Sequence, residues 1–313
     1  QNGSQILMVC EFFFYTFAIM KVAEFLTYLE KQRDFSPCTI KSYETDLRQL
    51  AEKLQSLNNG EPFLQEPDAK LIRVWLMDMA DRGLSTRTIN RKIIALRSYF
   101  RFLQHEDDTI ENPMAKILAP KMSKRKMSFV HQDEMEKLLS AKPDENNFIE
   151  FRDYFIMEFL YATGMRKAEL LSIKNNDFDF YAKQIRVLGK RRKERIIPLG
   201  EKILDDVVKY IDLKQRLGIK GKFLIVDKKG EAMSAGQLYY LINKKLKNCN
   251  VDEKSPHVFR HTCATHLLEN GADMNLVKNL LGHVSLSSTE VYTHPTIEQL
   301  KEEYRHSFKS INK

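Results

Sequence analysis

The chain has 313 residues, enough for two domains with separate cores, and its 43% hydrophobic and 29% charged residues exclude a disordered or fibrous class. A formal charge of +8 and an isoelectric point near 9.1 favour an anionic partner. Its four cysteines, Cys10, Cys38, Cys249 and Cys263, form no Cys-x-x-Cys pair, which speaks against a disulfide scaffold or zinc ribbon and for a reducing, cytoplasmic compartment.

Residues 1–20 are an apolar extension of unassigned role. The run ILMVCEFFFYTFAIM is short for a bilayer span and is interrupted by Glu11. It also lacks the basic flank and small-residue cleavage site of a secretory signal, so no membrane partner is expected.

Residues 21–104 read as four amphipathic helices joined by short loops, a small helical domain. Val22, Phe25, Leu26 and Leu29 share one stripe. Ser36-Pro37 starts a second helix carrying Ile40, Tyr43, Leu47, Leu50 and Leu54. Asp68 caps a third, which Gly83 ends, and Ser85 caps a fourth with Ile89, Ile93, Leu96, Phe100 and Leu103 on its stripe.

Residues 105–127 read as a linker, acidic at first and then basic. No acid occurs from Asn112 to Gln132, whereas Lys116, Lys121, Lys124, Arg125 and Lys126 all fall there, which suits a strap along a polyanion.

A mixed α/β domain is expected from about residue 128 to 313. EFRDYFIMEFLYATG is a mostly buried helix stopped by Gly164. QIRVLG and ERIIPLG flank a basic turn and read as a β-hairpin; from Arg186 to Arg195 six basic residues face one acid, Glu194. Helices are expected near 201–216, 236–248, 256–270, 273–281, 286–293 and 297–309. The fold class is therefore mainly α with a small β-hairpin or sheet, an N-terminal four-helix domain preceding an α+β domain.

The stretch SPHVFRHTCATH, residues 255–266, gathers His257, His261, Cys263 and His266 and raises the question of a metal. On a helical wheel with His257 at the origin, Arg260 falls at about 300° and His261 at about 40°, whereas Cys263 and His266 lie on another face. Four such ligands cannot converge on one ion, and no His-Glu-x-x-His pattern occurs, so no metal is expected. The helix instead presents His257 and Arg260 together over an apolar face. His266 reads as a core or supporting histidine.

Three other phrases share this character. YATGMRKAELLSI sets Arg166 just past a helix stop, with Glu169 one turn on. LGKRRKERIIPLG sets Lys190 at the hairpin mouth. LLGHVSLSSTEVYTH sets His283 after Gly282 and Tyr292 nine residues later.

In order, Arg166, Lys190, His257-x-x-Arg260, His283 and Tyr292 resemble the signature of the tyrosine site-specific recombinases, the phage-integrase family, and within them the bacterial Xer type. The resemblance runs from about residue 21 to the last helix. It departs at Arg191, where family hairpins of this type read Gly-Lys-Gly, and in residues 1–20.

The resemblance implies an enzyme that cuts and rejoins double-stranded DNA through a 3′-phosphotyrosyl intermediate, with a core-binding domain and a catalytic domain closing as a C-shaped clamp. Tyr292 would be the nucleophile, Arg166 and Arg260 the phosphate clamp, Lys190 the acid for the leaving oxygen, and His257 and His283 donors or proton acceptors. Glu169 would orient basic neighbours or be an ordinary helix-surface carboxylate. DNA-backbone contacts are expected at Lys121, Lys124, Arg125, Lys126, Arg191, Arg192 and Lys193. Neither metal nor ATP is implied, because the covalent intermediate conserves the phosphodiester bond.

The implied partners are DNA and further protomers, itself or a sister recombinase, in a tetrameric synapse through the final helix; that helix packing on its own domain is the alternative. The implied role is chromosome-dimer resolution in a bacterial, nucleoid-associated setting. An integrase, excisionase or invertase of a mobile element, and a non-cleaving DNA-binding regulator, are the alternatives.

Overall fold

A computed structural model describes residues 21–57, 69–122, 128–189 and 194–282. The chain forms two compact units, Gln1–Arg125 and Lys126–Lys313.

The first unit holds helices α1 (21–31), α2 (Pro37–Leu57), α3 (Ala69–Asp81) and α4 (Thr86–Glu106). The apolar stripes read from the sequence converge: Phe25, Leu29, Leu47, Leu50, Leu54, Ile72, Ile93, Leu96 and Phe100 are almost fully buried in one core. Ser85 accepts the Thr88 amide at 3.3 Å and caps α4, satisfying one of the amides a helix start leaves open. Asp68, the expected cap of α3, lies outside the described residues.

Beneath the apolar core α2 and α4 are pinned by charge. Asp46, wholly buried, receives Lys92 Nζ at 2.7 Å and a further bond from Arg91. Burying a carboxylate is tolerated only with such compensation.

The expected linker starts too early. Residue 105 is still in α4, and a 3-10 turn at Pro113–Lys116 follows. Met114 and Ile117 are 2% exposed, because both complete the helical core. Arg73, Arg97 and Asn90 then donate to the carbonyls of Lys116, Ile117 and Pro120, holding the strand of chain to the unit as far as Pro120.

The second unit is built around α6 (Phe148–Thr163), thirteen of whose sixteen residues are buried, which marks it as the central rod. Around it lie α5 (Gln132–Ser140), α7 (Lys167–Ser172), α8 (Glu201–Arg216), α9 (Ala235–Lys245), α10 (Pro256–Glu269) and α11 (Met274–Leu281). β1 (Phe178–Asp179), β2 (Gln184–Leu188) and β3 (Glu194–Pro198) form one antiparallel sheet in that order. The hairpin register pairs Gln184 with Pro198 and Leu188 with Glu194.

β1, α5 and α7 are additions to the elements read from sequence. α9 ends at Lys245 rather than near residue 248, since Leu246 turns the chain and its amide bonds back to Ile242 and Lys244. The helices expected near 286–293 and 297–309, and the extension 1–20, lie outside the described residues.

Candidate active site

The site is organised by the C-terminal ends of two helices. Gly164 ends α6 with φ +56°, the left-handed geometry that favours glycine. A Cβ there would stand 2.5 Å from Leu281 Cδ2 and 3.0 Å from Cys263 Sγ, so the turn is fitted tightly against α10 and α11. Gly282 ends α11 with φ +66°. Helix ends expose unpaired carbonyls and the negative pole of the helix dipole, which attract guanidiniums.

Three arginines answer that field on three consecutive carbonyls. Arg195 Nε donates to Leu280 at 3.1 Å, Arg260 Nη2 to Leu281 at 2.6 Å, and Arg166 Nη2 to Gly282 at 2.9 Å. Arg260 Nη1 also donates to the Gly164 carbonyl at 2.8 Å. These contacts bring α6, α7, β3, α10 and α11 to one place. Arg166 and Arg260 each engage two N–H groups in these contacts, and a guanidinium has five.

Arg260 is 9% exposed, so the wheel's picture of it beside His257 on an open face needs correction. Its long side chain reaches inward to the carbonyls, whereas His257 stays exposed. Burial, with the charges of Arg166 and Arg195 beside it, brings its pKa down to about 10, and it remains charged at neutral pH. Partial desolvation of the exposed ring, with the cations Lys167, Arg260 and Arg166 nearby, pushes His257 below its usual value and favours the neutral imidazole.

Glu169 is 4% exposed and holds the arginines in register, not the surface position left open above. It accepts the Arg166 amide at 2.8 Å and Arg166 Nη1 at 2.9 Å, the capping arrangement of α7. Arg195 binds both of its oxygens, at 2.7 and 2.8 Å. Burial alone would raise its pKa, but the bonds from Arg195 and from the Arg166 amide outweigh that and hold it at about 2.

Arg195 is the residue that sequence reasoning missed. Within a run of six basic residues nothing distinguishes it; the signal was its place as an inward position of β3, beside buried Ile197.

The other cluster candidates do not divide as cleanly as the wheel placed them, since His261 and His266 both pack against the Phe129 ring. Cys263 is fully buried beneath Gly164, and its environment raises its pKa to about 12. His266 is buried with Nδ1 at 2.8 Å from the Tyr161 hydroxyl, and His261 packs against the Phe129 ring. Among the described residues no three His, Cys, Asp or Glu side chains gather to hold a metal. Lys121 is exposed. Lys190, His283, Tyr292, Lys124, Arg125, Lys126, Arg191, Arg192 and Lys193 lie outside the described residues.

Residues 128–299 match the phage integrase family, and residues 22–107 match the phage integrase N-terminal SAM-like domain. With more than half its length in that match, the chain belongs to the phage integrase family of tyrosine recombinases, and within it to the Xer type. It is 38% identical over 282 residues to the tyrosine recombinase XerC of Staphylococcus aureus strain MSSA476, covering 90% of this chain and 93% of that one. XerC of strain MW2 is similar to the same extent.

Among solved structures it shares its fold with the Tn1549 transposon integrase in complex with circular intermediate DNA, at 21% identity and a TM-score of 0.66 over 90% of this chain and 98% of that one. XerH bound to its difH substrate in a pre-cleavage complex gives 22% identity and a TM-score of 0.62 over 90% and 83%. No described helix is long and apolar enough to cross a membrane.

Proposed function

We propose that this chain is a site-specific recombinase that cuts and rejoins double-stranded DNA, with chromosome-dimer resolution of the Xer kind as its role. The observation that carries the reading is the pair Arg166 and Arg260, far apart in sequence yet seated on adjacent carbonyls at the end of α11. Two fixed guanidinium forks side by side suit the non-bridging oxygens of a phosphodiester as negative charge builds on them.

In this reading Tyr292 Oη attacks the scissile phosphorus and the P–O5′ bond breaks. A phenol with a pKa of about 10 needs its charge stabilised and its proton taken as it attacks. The neutral imidazole of His257 is suited to take that proton, and His283 is the other acceptor or donor. Lys190 gives its proton to the departing 5′-oxygen. The products are a 3′-phosphotyrosine and a free 5′-hydroxyl. A 5′-hydroxyl from a second strand reverses the step, so the number of phosphodiester bonds is conserved and neither ATP nor metal is required.

The helical unit over 21–104 serves as the core-binding domain. Lys121, Lys124, Arg125, Lys126, Arg191, Arg192 and Lys193 contact phosphates, which makes affinity fall with salt. The segment 297–309, read from the sequence as a helix, joins protomers in a tetrameric synapse, in a cytoplasmic, nucleoid-associated setting. The 38% identity to XerC over 90% of the chain supports the Xer assignment.

The test is incubation with a nicked suicide duplex in the presence of EDTA, followed by denaturing electrophoresis. A denaturation-resistant protein–DNA adduct is expected; its absence, or its loss to EDTA, contradicts the reading.

A further inference from the structure

We propose that Arg195 is a positioning residue for strand cleavage: by neutralising Glu169 it leaves the full charge of Arg166 available to the scissile phosphate. This rests on the function proposed above.

Glu169 lies within 2.9 Å of the Arg166 guanidinium, on the residue that would otherwise clamp phosphate. A buried carboxylate there competes with the substrate for the same cation. Arg195 answers both carboxylate oxygens at once, in the forked geometry that arginine alone among side chains provides. Its side chain is 13% exposed, so the pairing is only weakly screened by solvent.

Three guanidiniums and one carboxylate leave the cluster two positive charges, the number held by Arg166 and Arg260; without Arg195 only one remains. The same side chain also grips the end of α11. Its Nε holds the Leu280 carbonyl, and a Cβ at Gly282 would come within 3.0 Å of its Cδ. Arg195 thus sets both the charge and the seat of the two clamp residues.

A mere strut and a charge compensator differ in one consequence. If the harm of losing Arg195 is an unanswered carboxylate, removing that carboxylate's charge must restore activity; a missing strut is not restored so.

The test uses the full-length chain on a nicked duplex carrying its own recombination site, with adduct formation, DNA affinity, thermal melting and the 13C titration of the Glu169 carboxyl measured together. Wild type forms adduct. Arg195→Gln is expected to bind DNA as wild type does and to form adduct about 100-fold more slowly, the scale of one lost charge-stabilising group. Arg195→Gln with Glu169→Gln is expected to recover about tenfold of that, and in Arg195→Gln the Glu169 carboxyl titrates at higher pH.

Wild-type cleavage by Arg195→Gln, or a double variant no faster than the single one, overturns the inference. Should Arg195→Gln not fold, Arg195→Lys keeps the charge and is expected within about tenfold of wild type; a folded Arg195→Lys as slow as 100-fold overturns compensation. Absence of any wild-type adduct overturns the function itself, and the Glu169 titration then decides the pairing alone: an unchanged titration in Arg195→Gln rejects it.

Discussion

Arg260 Nη2 donates to the Leu281 carbonyl at 2.6 Å, tying the middle of α10 to the last turn of α11. The next carbonyl, Gly282, takes Arg166, so the seats of the two clamp residues are one peptide apart. Whatever moves the end of α11 therefore moves both guanidiniums together.

That linkage bears on Arg260→Ala. The variant is expected to bind DNA nearly normally and to cleave about 10²- to 10³-fold more slowly, since a preorganised donor acts mainly on the transition state. Single-turnover cleavage set against filter binding separates the two effects. Near-normal cleavage removes Arg260 from the site.

Gly164→Ala tests the turn that shapes the site. The left-handed φ and the contact of 2.5 Å with Leu281 both oppose a Cβ. A loss of about 2 kcal/mol is expected in urea unfolding. Cleavage should fall as well, because the Gly164 carbonyl holds Arg260. Unchanged stability shows that the turn is not tightly fitted.

Glu169 sets an acid limit. Its folded pKa of about 2 lies below its ordinary value of 4.5, so its contribution is present above pH 4.5 and is lost as pH falls towards 2. Glu169 is nearly fully buried, and the contribution amounts to about 3 kcal/mol. Glu169→Gln is expected to be less stable at pH 7 and to show a shallower acid transition over that range. Parallel acid titrations of the two proteins make the comparison; equal slopes contradict it.

The first unit has its own test. Lys92→Met leaves the buried Asp46 with Arg91 alone, and Arg91 is half in solvent. Breaking a buried pair by removing one partner costs about 3–5 kcal/mol. Asp46→Asn with Lys92→Met is expected to recover most of this in urea unfolding of the whole chain, and no loss in Lys92→Met contradicts the pairing.

Much of this was legible in the sequence, for physical reasons. The helical stripes of the first unit announced themselves because each helix buries only one face, as Leu47, Leu50 and Leu54 do. The stop at Gly164 followed from turn chemistry, and the pairing of β2 with β3 from the strand-like runs QIRVLG and ERIIPLG on either side of a basic stretch. The division of 255–266 into two faces followed from helical geometry, and Cys263 and His266 are indeed buried.

What escaped was long-range. Arg260 looked open on the wheel because a wheel shows direction and not the carbonyls of Gly164 and Leu281, which arrive from other helices. Arg195 resembled its basic neighbours because its partners, Glu169 and Leu280, lie outside β3. The linker was begun too early because Met114 and Ile117, with no helical period around them, are buried in the core that α3 and α4 help to form.

The central claim concerns the atom that becomes joined to DNA. Digestion of the adduct with trypsin and mass mapping of the nucleotide-linked peptide identifies it directly. The account requires the phosphate on Tyr292, with Tyr292→Phe binding DNA yet forming no adduct. Linkage at any other residue, or an undiminished adduct from Tyr292→Phe, contradicts it.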